Sequence, residues 1–434
     1  MTEYLICGGF VLTMDPELGD LPVGDVHVRD GEIVAVGDRL SAPDAQRVDA
    51  TDMIVLPGLV DTHWHMWNTL LRGLSDGRDD ARGYFRMCGA LGPVFTARDC
   101  AAGVALSCAE AIDAGYTTVH NWAHNVRGPE FADAELAVLA DSGLRARFSY
   151  GWSNGHPNTE PMDIADLARL RGSWPTDGLV SLGMAWRGTG GSNPAMRVDA
   201  SIYRAEIAAA RELGLPVTVH ASGPATARGQ VGVLAAAGLL GPDVQVVHAN
   251  VADDDEIAAM ADSGTVVSVS PFTELQIGYG LPRTGDFLAA RIPTGLSVDT
   301  TALSGNADPF AIMKLTHAVE NGRAAHEFAL SARRTLELAT IEGARTMGLD
   351  HLVGSLTPGK RADLITVSER GPNLVVRTDP ARLLVTAAQP SNVDTVMVDG
   401  RILKRDGALS TMDVAEIGAR ARSSLAGVLG RAHW

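Results

Sequence analysis

Short apolar runs alternate with Ala-rich amphipathic segments through the middle of the chain. The segment ARDCAAGVALSCAEAIDAG precedes YTTVHNW, and AEIAAARELG precedes LPVTVHASG. A glycine near the end of each amphipathic segment is typical of a helix C-cap. Repeated strand–helix alternation indicates an α/β protein whose parallel strands are joined by crossover helices. Enough such units lie between residues 58 and 352 to predict a closed (β/α)8 TIM-like barrel.

Both ends of the chain have a different pattern, in which short β-like runs are separated by turn residues. Residues 1–57 contain LICGGFVLTM and VHVRDGEIVAVG, and residues 353–434 contain ADLITVS and DTVMVDGRILKRDG. Asp-Gly pairs are typical of tight hairpin turns, and they occur at Asp30-Gly31, Asp399-Gly400 and Asp406-Gly407. We expect the two ends to form one small β-sandwich domain beside the barrel, followed by a C-terminal helix. The predicted domains are therefore 1–57, 58–352 and 353–434.

Composition narrows the class of protein. With 434 residues and 46% hydrophobic positions, the chain can bury a large core, which excludes a disordered or fibrous protein. Its 36 Lys and Arg against 52 Asp and Glu give a net charge of −16, which disfavours a nucleic-acid partner. No apolar run reaches the ~18 residues of a membrane span, and MTEYLICGGF does not resemble a secretory signal. The four cysteines lack a CxxC spacing, so we expect reduced thiols and a cytoplasmic location.

Histidines and one aspartate follow several of the predicted strands. His63 and His65 are two residues apart in VDTHWH, so on an extended strand both rings point to the same side. LPVTVH ends at His220, VQVVH ends at His248, and GLSVD ends at Asp299. The C-terminal ends of barrel strands hold the active site, and buried imidazole or carboxylate groups need partners or ligands. The pattern therefore predicts a metal or catalytic site.

Aromatic and amide side chains lie at further strand ends. Four of the seven tryptophans occur at such ends or just after them, which favours a pocket wall for a planar or apolar small molecule. The candidate substrate-binding residues are Trp67, His124, Trp152, Asn154, Trp186 and Asn250.

The pieces PGLVDTHWH, TVHASG, VVHAN, LSVDT and GSLTPGKRADLITV resemble the amidohydrolase superfamily, and most closely its cytosine deaminase and chlorohydrolase branch. The resemblance implies one divalent metal, Zn²⁺ first and Fe²⁺ second, held by His63, His65, His220 and Asp299. Asp299 would also take a proton from the attacking water, and His248 would polarise the substrate or assist the leaving group. The resemblance further implies a small-molecule substrate and a homo-oligomer.

One residue departs from the pattern of that branch. Its deaminases carry Glu three residues after the third metal histidine, whereas this chain has Gly223, which cannot transfer a proton. General acid–base help contributes roughly 10²–10⁴-fold, so a substitute carboxylate is needed for standard deaminase chemistry. We expect Glu274, in PFTELQIGYG, to reach the mouth and act as acid and base or to bind a cationic substrate.

The resulting prediction is a metal-dependent enzyme that hydrolyses a C–N bond in a cyclic amide, an amidine or an N-substituted heteroaromatic ring. Because Gly223 replaces the usual glutamate, two alternatives stay open. The metal could act as a Lewis acid in a lyase, isomerase or cyclase, or the chain could bind a ligand with little turnover.

Overall fold

The computed structural model describes residues 2–75, 80–153, 155–190 and 197–434. The strands are β1 (Glu3–Val11), β2 (Leu21–Arg29), β3 (Glu32–Gly37), β4 (Gln46–Asp49), β5 (Met53–Pro57), β6 (Leu59–Val60), β7 (Tyr116–Ala123), β8 (Arg145–Tyr150), β9 (Val180–Trp186), β10 (Val217–Ala221), β11 (Val244–His248), β12 (Val266–Val269), β13 (Thr294–Leu296), β14 (Leu364–Ser368), β15 (Val393–Val398), β16 (Arg401–Arg405) and β17 (Ala408–Leu409).

The helices follow the expected capping chemistry. Thr96 and Asp253 each begin a helix with a reciprocal capping box, and Gly115 and Gly264 end those helices with left-handed backbone. The helices are α1 (Tyr84–Leu91), α2 (Ala97–Ala114), α3 (Pro129–Ser142), α4 (Ile164–Ser173), α5 (Ala200–Glu212), α6 (Gln230–Ala236), α7 (Asp254–Ser263), α8 (Pro271–Gln276), α9 (Thr284–Ala289), α10 (Thr301–Ser304), α11 (Pro309–Arg323), α12 (Ala332–Leu338), α13 (Ile341–Thr346), α14 (Pro380–Thr386) and α15 (Val414–Ala432).

Eight parallel strands, β6 to β13, form the barrel sheet in chain order. The two ends of that sheet meet at Trp64, which forms parallel bridges with both Asn121 and Asp299. The amide of Thr62 also donates to the carbonyl of Leu296 at 3.1 Å, so the first and last strands are hydrogen-bonded to each other. The predicted (β/α)8 fold is confirmed.

Strands from both chain ends form a second sheet with nine strands. Its order is β17-β16-β15-β14-β5-β1-β2-β3, with β4 paired to β1, and the antiparallel pairing of β14 with β5 joins the two ends. The three Asp-Gly pairs are the predicted hairpin turns, with positive φ at both residues of each pair. Apolar residues of this sheet form a small core of their own. The domain boundaries at residues 57 and 352 stay a prediction.

The C-terminal helix α15 packs against helix α2 of the barrel. Ile417 packs on Ala105 and Ala109 of α2, and Arg431 donates to the Asp99 carboxylate at the start of that helix. The four cysteines are buried thiols. Within the described ranges, the helices are too short or too polar to cross a lipid bilayer.

Glu135 of α3 is a fully buried carboxyl group that packs against the barrel. Its Oε2 accepts a 2.8 Å hydrogen bond from Asn121 Nδ2, and its Oε1 has no partner. Burial raises the pKa of Glu135 to about 7, so the folded protein keeps this proton up to a higher pH than the unfolded chain does. Stability is therefore lost as pH rises from about 4.5 to about 7.

We expect Glu135→Gln to stabilise the protein at pH 8 by up to about 3 kcal/mol, and by under about 1 kcal/mol at pH 5. Urea unfolding of variant and wild type at both pH values measures the difference. Glu130→Gln, an exposed change on the same helix, is the matched control. An equal effect of Glu135→Gln at both pH values would contradict this assignment of the proton.

Candidate metal centre and active site

Among the described residues, four side chains that could hold a metal ion come from three parts of the barrel and meet at its C-terminal mouth. His63 and His65 follow β6, His220 lies in β10, and Asp299 follows β13. One ligand atom from each of them lies within 4.8 Å of all the others. The residues predicted as metal ligands are thus brought together.

The distances between these atoms fit a bound cation. His63 Nε2 lies 3.2 Å from both His65 Nε2 and His220 Nε2, and 3.1 Å from Asp299 Oδ1. Ligands at 2.0–2.1 Å from a tetrahedral Zn²⁺ are separated by about 3.3 Å, which is close to these values. A neutral imidazole carries one N–H, so the His63 ring cannot donate to three such neighbours at once. The donor set therefore suits a divalent metal.

Burial and mutual contacts set the charges of these groups. Burial lowers the pKa of His63 to about 3, and burial together with the neighbouring His63 lowers the pKa of His220 well below its usual value. Burial alone would raise the pKa of Asp299, but hydrogen bonds from His63 and His65 outweigh it and hold this pKa well below the usual range. Neutral imidazoles beside an ionised carboxylate are the protonation states that metal binding requires.

Glu274 lies behind His248 and is fully buried. Its Oε1 is 3.1 Å from His248 Nδ1 and accepts a 2.8 Å hydrogen bond from the amide of Ser270. His248 Nε2 then faces Asp299 Oδ2 at 3.9 Å. Glu274 thus reaches the site through the His248 ring rather than through the open mouth, where the sequence predicted it.

The backbone at Gly223 leaves no room for the glutamate that the sequence pattern lacks. Its φ is +145°, and an added Cβ would lie 2.7 Å from the Cβ of Ala227. The Asn250 side chain holds this turn, because Oδ1 accepts from the Gly223 amide at 3.3 Å and Nδ2 donates to the Gly223 and Tyr279 carbonyls at 2.9 Å. The Asn250 amide is therefore bonded to backbone in this structure. Its predicted contact with the substrate stays a prediction.

Aromatic rings surround the mouth of the site. Trp67 Nε1 donates to His124 Nδ1 at 3.2 Å, which places the proton of a neutral His124 on Nε2. The His124 ring is 4.4 Å from that of His65 and 6.1 Å from that of the partly exposed Trp152. The ring of Trp186 lies 6.4 Å from that of Tyr203 of α5, and its predicted substrate contact stays a prediction. Asn154 lies outside the described residues.

Two tyrosines near the site escaped the sequence prediction. The Tyr279 ring meets His248 edge-on at 6.1 Å, and burial raises its pKa to about 12. The Tyr84 hydroxyl accepts a 3.2 Å hydrogen bond from Asn68 Nδ2, and Asn68 in turn accepts from Thr300, next to Asp299. Neither tyrosine follows an apolar strand-like run, and a pattern of polar residues at strand ends therefore does not include them.

Comparison with known proteins agrees with this geometry. The 5'-deoxyadenosine deaminase of Methanosarcina mazei is 28% identical over 430 residues, covering 96% of each chain. The 5-methylthioadenosine/S-adenosylhomocysteine deaminase of Symbiobacterium thermophilum is 30% identical, covering 98% of this chain and 99% of its own.

Solved structures show the same fold over nearly the whole chain. A zinc-bound adenosine deaminase from Xanthomonas campestris has a TM-score of 0.86 at 26% identity, with 99% of each chain covered. The zinc complex of an atrazine chlorohydrolase from Arthrobacter aurescens has a TM-score of 0.83 at 22% identity, covering 97% of this chain and 100% of its own. The sequence profile of the amidohydrolase family matches residues 54–403. The chain therefore belongs to the amidohydrolase family, and it is a metal-dependent hydrolase of C–N bonds other than peptide bonds.

Proposed function

We propose that the protein binds one Zn²⁺ through His63, His65, His220 and Asp299 and hydrolyses a C–N bond at an unsaturated carbon of a planar nitrogen heterocycle. The convergence of these four donors within 4.8 Å carries the proposal. Imidazole and carboxylate ligands suit Zn²⁺, with Fe²⁺ as the second candidate. The zinc in the Xanthomonas deaminase structure supports the first choice.

The roles of the chain's own residues follow from their contacts. A divalent cation bound here would supply a Lewis acid that makes hydroxide available near neutral pH. Asp299 stays ionised, and we assign it the proton taken from the attacking water. His248 Nε2 faces the other oxygen of that carboxylate, so we assign His248 to the leaving group or the ring nitrogen. Glu274 positions His248 by accepting from its Nδ1.

The aromatic wall supports a planar substrate. Trp67, Trp122 and Trp152 lie around the His124 side chain and the metal ligands, and flat rings bind well between such surfaces. The names of the relatives make 5'-deoxyadenosine and 5'-methylthioadenosine the first compounds to assay. The carboxylate that acts on the leaving group in other deaminases of this branch is absent at Gly223, so cyclic amides and ring-substituted heterocycles belong in the same assay.

A second candidate function is favoured by that same glycine. Since no side chain can be placed at Gly223 without strain, we propose a lyase, isomerase or cyclase step that needs no protonated leaving group as an additional activity of this hydrolase site. We further propose a cytoplasmic homo-oligomer, which subcellular fractionation and size-exclusion chromatography with light scattering would test.

Removing one metal ligand tests the centre. We expect about one equivalent of zinc in the wild type and under about a tenth of that in His220→Ala, because three donors bind the ion much more weakly than four. Elemental analysis by mass spectrometry gives both values. His351→Ala, on the surface, should keep its metal. Unchanged metal content in His220→Ala would refute the proposed ligand set.

Glu274→Gln tests the positioning role. We expect kcat to fall by about 10²-fold with KM and metal content nearly unchanged, because the amide cannot hold the His248 proton as the carboxylate does. Steady-state kinetics on the best substrate of the assay measures the split. Glu327→Gln, at an exposed position, is the control. Near wild-type kcat in Glu274→Gln would rule out the assigned role.

Turnover in ¹⁸O-labelled water separates the two candidate functions. Hydrolysis incorporates one labelled oxygen into the product at the attacked carbon, whereas lyase, isomerase and cyclase steps incorporate none there. Mass spectrometry of the isolated product, with an unlabelled-water control, gives the result. A converted but unlabelled product would assign the conversion of that compound to the second candidate activity.

A further inference from the structure

A cavity lies at the opposite end of the barrel from the metal centre. Its volume is about 190 Å³, and it is lined by residues at or before the beginnings of β10, β11 and β12 together with the turn after α13. The exposed residues Arg345 and Gly348 are among the residues that line it. Side chains that point inward from the lower part of the barrel, including Arg147, Thr218 and Gln245, form its wall.

Arg147 of β8 is a cation without a counter-ion. Its Nη2 donates to the Met347 carbonyl at 2.6 Å, while its Nε is enclosed and has no hydrogen-bond partner. Burial lowers its pKa to about 10, and no carboxylate of the described residues offsets that effect. Arg145, two residues earlier on the same strand, differs in this respect: both oxygens of Asp363 accept from it, at 2.8 and 3.0 Å.

The same wall has a second donor without an acceptor. Gln245 is 5% exposed, its Oε1 accepts from Thr218 at 3.0 Å, and its Nε2 is enclosed without a partner. Buried donors of this kind are destabilising by about 1–3 kcal/mol each when nothing accepts from them. Two of them around one cavity indicate that an acceptor belongs between them.

The remaining polar groups of the wall offer little to balance the cation. His120 Nδ1 lies 2.9 Å from the Thr62 carbonyl, which can only accept, so Nδ1 donates and Nε2 accepts from the Ser149 hydroxyl at 2.7 Å. The one carboxylate among the lining residues, Asp243, is bonded to Arg211 outside the cavity. The wall is therefore rich in donors and carries a net positive charge.

We propose that this cavity binds one small tetrahedral oxyanion, of the phosphate or sulfate type, through Arg147 and Gln245. A guanidinium presents a planar set of N–H donors that matches two oxygens of such an anion. The bound anion would neutralise Arg147 and accept from Gln245 Nε2. This site does not depend on the proposed reaction, because it uses neither the metal ligands nor the aromatic wall.

Calorimetric titration of inorganic phosphate into the metal-loaded protein, at constant ionic strength, tests the site. We expect saturable binding of one equivalent, weakened at least 10-fold in Arg147→Met. The methionine keeps the apolar stem and removes the charge. Because phosphate could also ligate zinc, His220→Ala serves as a second background and should keep the phosphate site. Acetate and chloride arms should bind more weakly than phosphate and sulfate, which fit the proposed tetrahedral geometry.

Gln245→Leu is the second variant, used also if Arg147→Met does not fold, and it should weaken phosphate binding several-fold. Arg333→Met, whose side chain pairs with Asp20 on the surface, should bind phosphate as the wild type does. Equal affinity in wild type, Arg147→Met and Gln245→Leu would overturn the proposal. So would binding that disappears in His220→Ala, or a wild type that shows no saturable binding.

Discussion

The same backbone hydrogen bonds close the barrel and bring the candidate metal ligands together. The amide of Trp64 donates to the His120 carbonyl at 2.9 Å, and the amide of Trp122 donates to Trp64 at 2.8 Å. On the other side, His65 donates to the Asp299 carbonyl at 2.6 Å, and Asp299 donates to the His63 carbonyl at 2.8 Å. The two segments bonded to each other here, which follow the first and the last strand, therefore carry three of the four candidate ligands, His63, His65 and Asp299. A shift in strand register here would separate His63 and His65 from Asp299.

Each end of the barrel has polar groups that the chain itself leaves without partners, and the two ends suit ions of opposite charge. At the upper end, Asp299 and three imidazoles bring their ligand atoms within 4.8 Å of one another, an arrangement that a bound cation stabilises. At the lower end, Arg147 and Gln245 leave N–H groups without acceptors, which an anion resolves. Between them, His120 connects the layers, because it bonds to the Thr62 carbonyl just before His63 and to Ser149 beside the lower cavity. The polar interior of this barrel is thus organised around charges that the chain alone does not balance.

The sequence predicted the features that depend on the pattern of residues within short segments. Alternating strands and helices, the Asp-Gly hairpins and the polar residues at strand ends are all properties of short windows, and the barrel topology then brings His63, His65, His220 and Asp299 to one face. It could not predict which way a single side chain turns after a strand ends. Trp67 and Trp186 look alike in the sequence, but one bonds to His124 and the other packs on α5.

Long-range contacts account for the other differences. Glu274 is separated from His248 by 26 residues, and the short helix α8 buries its carboxylate behind that ring. Asn250 bonds to Gly223, which is 27 residues away in the sequence. The sequence alone therefore does not show that the Asn250 amide supports the turn at Gly223. Arg145 and Arg147 are the same residue type, two positions apart on one strand. Only the fold shows that Arg145 has a carboxylate partner and that Arg147 has none among the described residues.

The carboxylate beside His248 changes what the site can do to a leaving group. A glutamate at position 223 would touch the substrate directly, but Gly223 is held at a φ that disfavours any side chain, and Asn250 keeps it there. Glu274 contacts Nδ1 of His248, on the far side of the ring from the Asp299 carboxylate. In the function we propose, protons therefore reach the leaving group through a ring whose other nitrogen is bonded to the Glu274 carboxylate. An imidazole held in this way donates a hydrogen bond more readily than it gives up a proton, because the carboxylate stabilises its protonated form. In the proposed hydrolysis, the His248–Glu274 pair therefore lowers the activation barrier most for leaving groups that depart as weak bases. It lowers this barrier least for leaving groups that must be fully protonated before the C–N bond breaks.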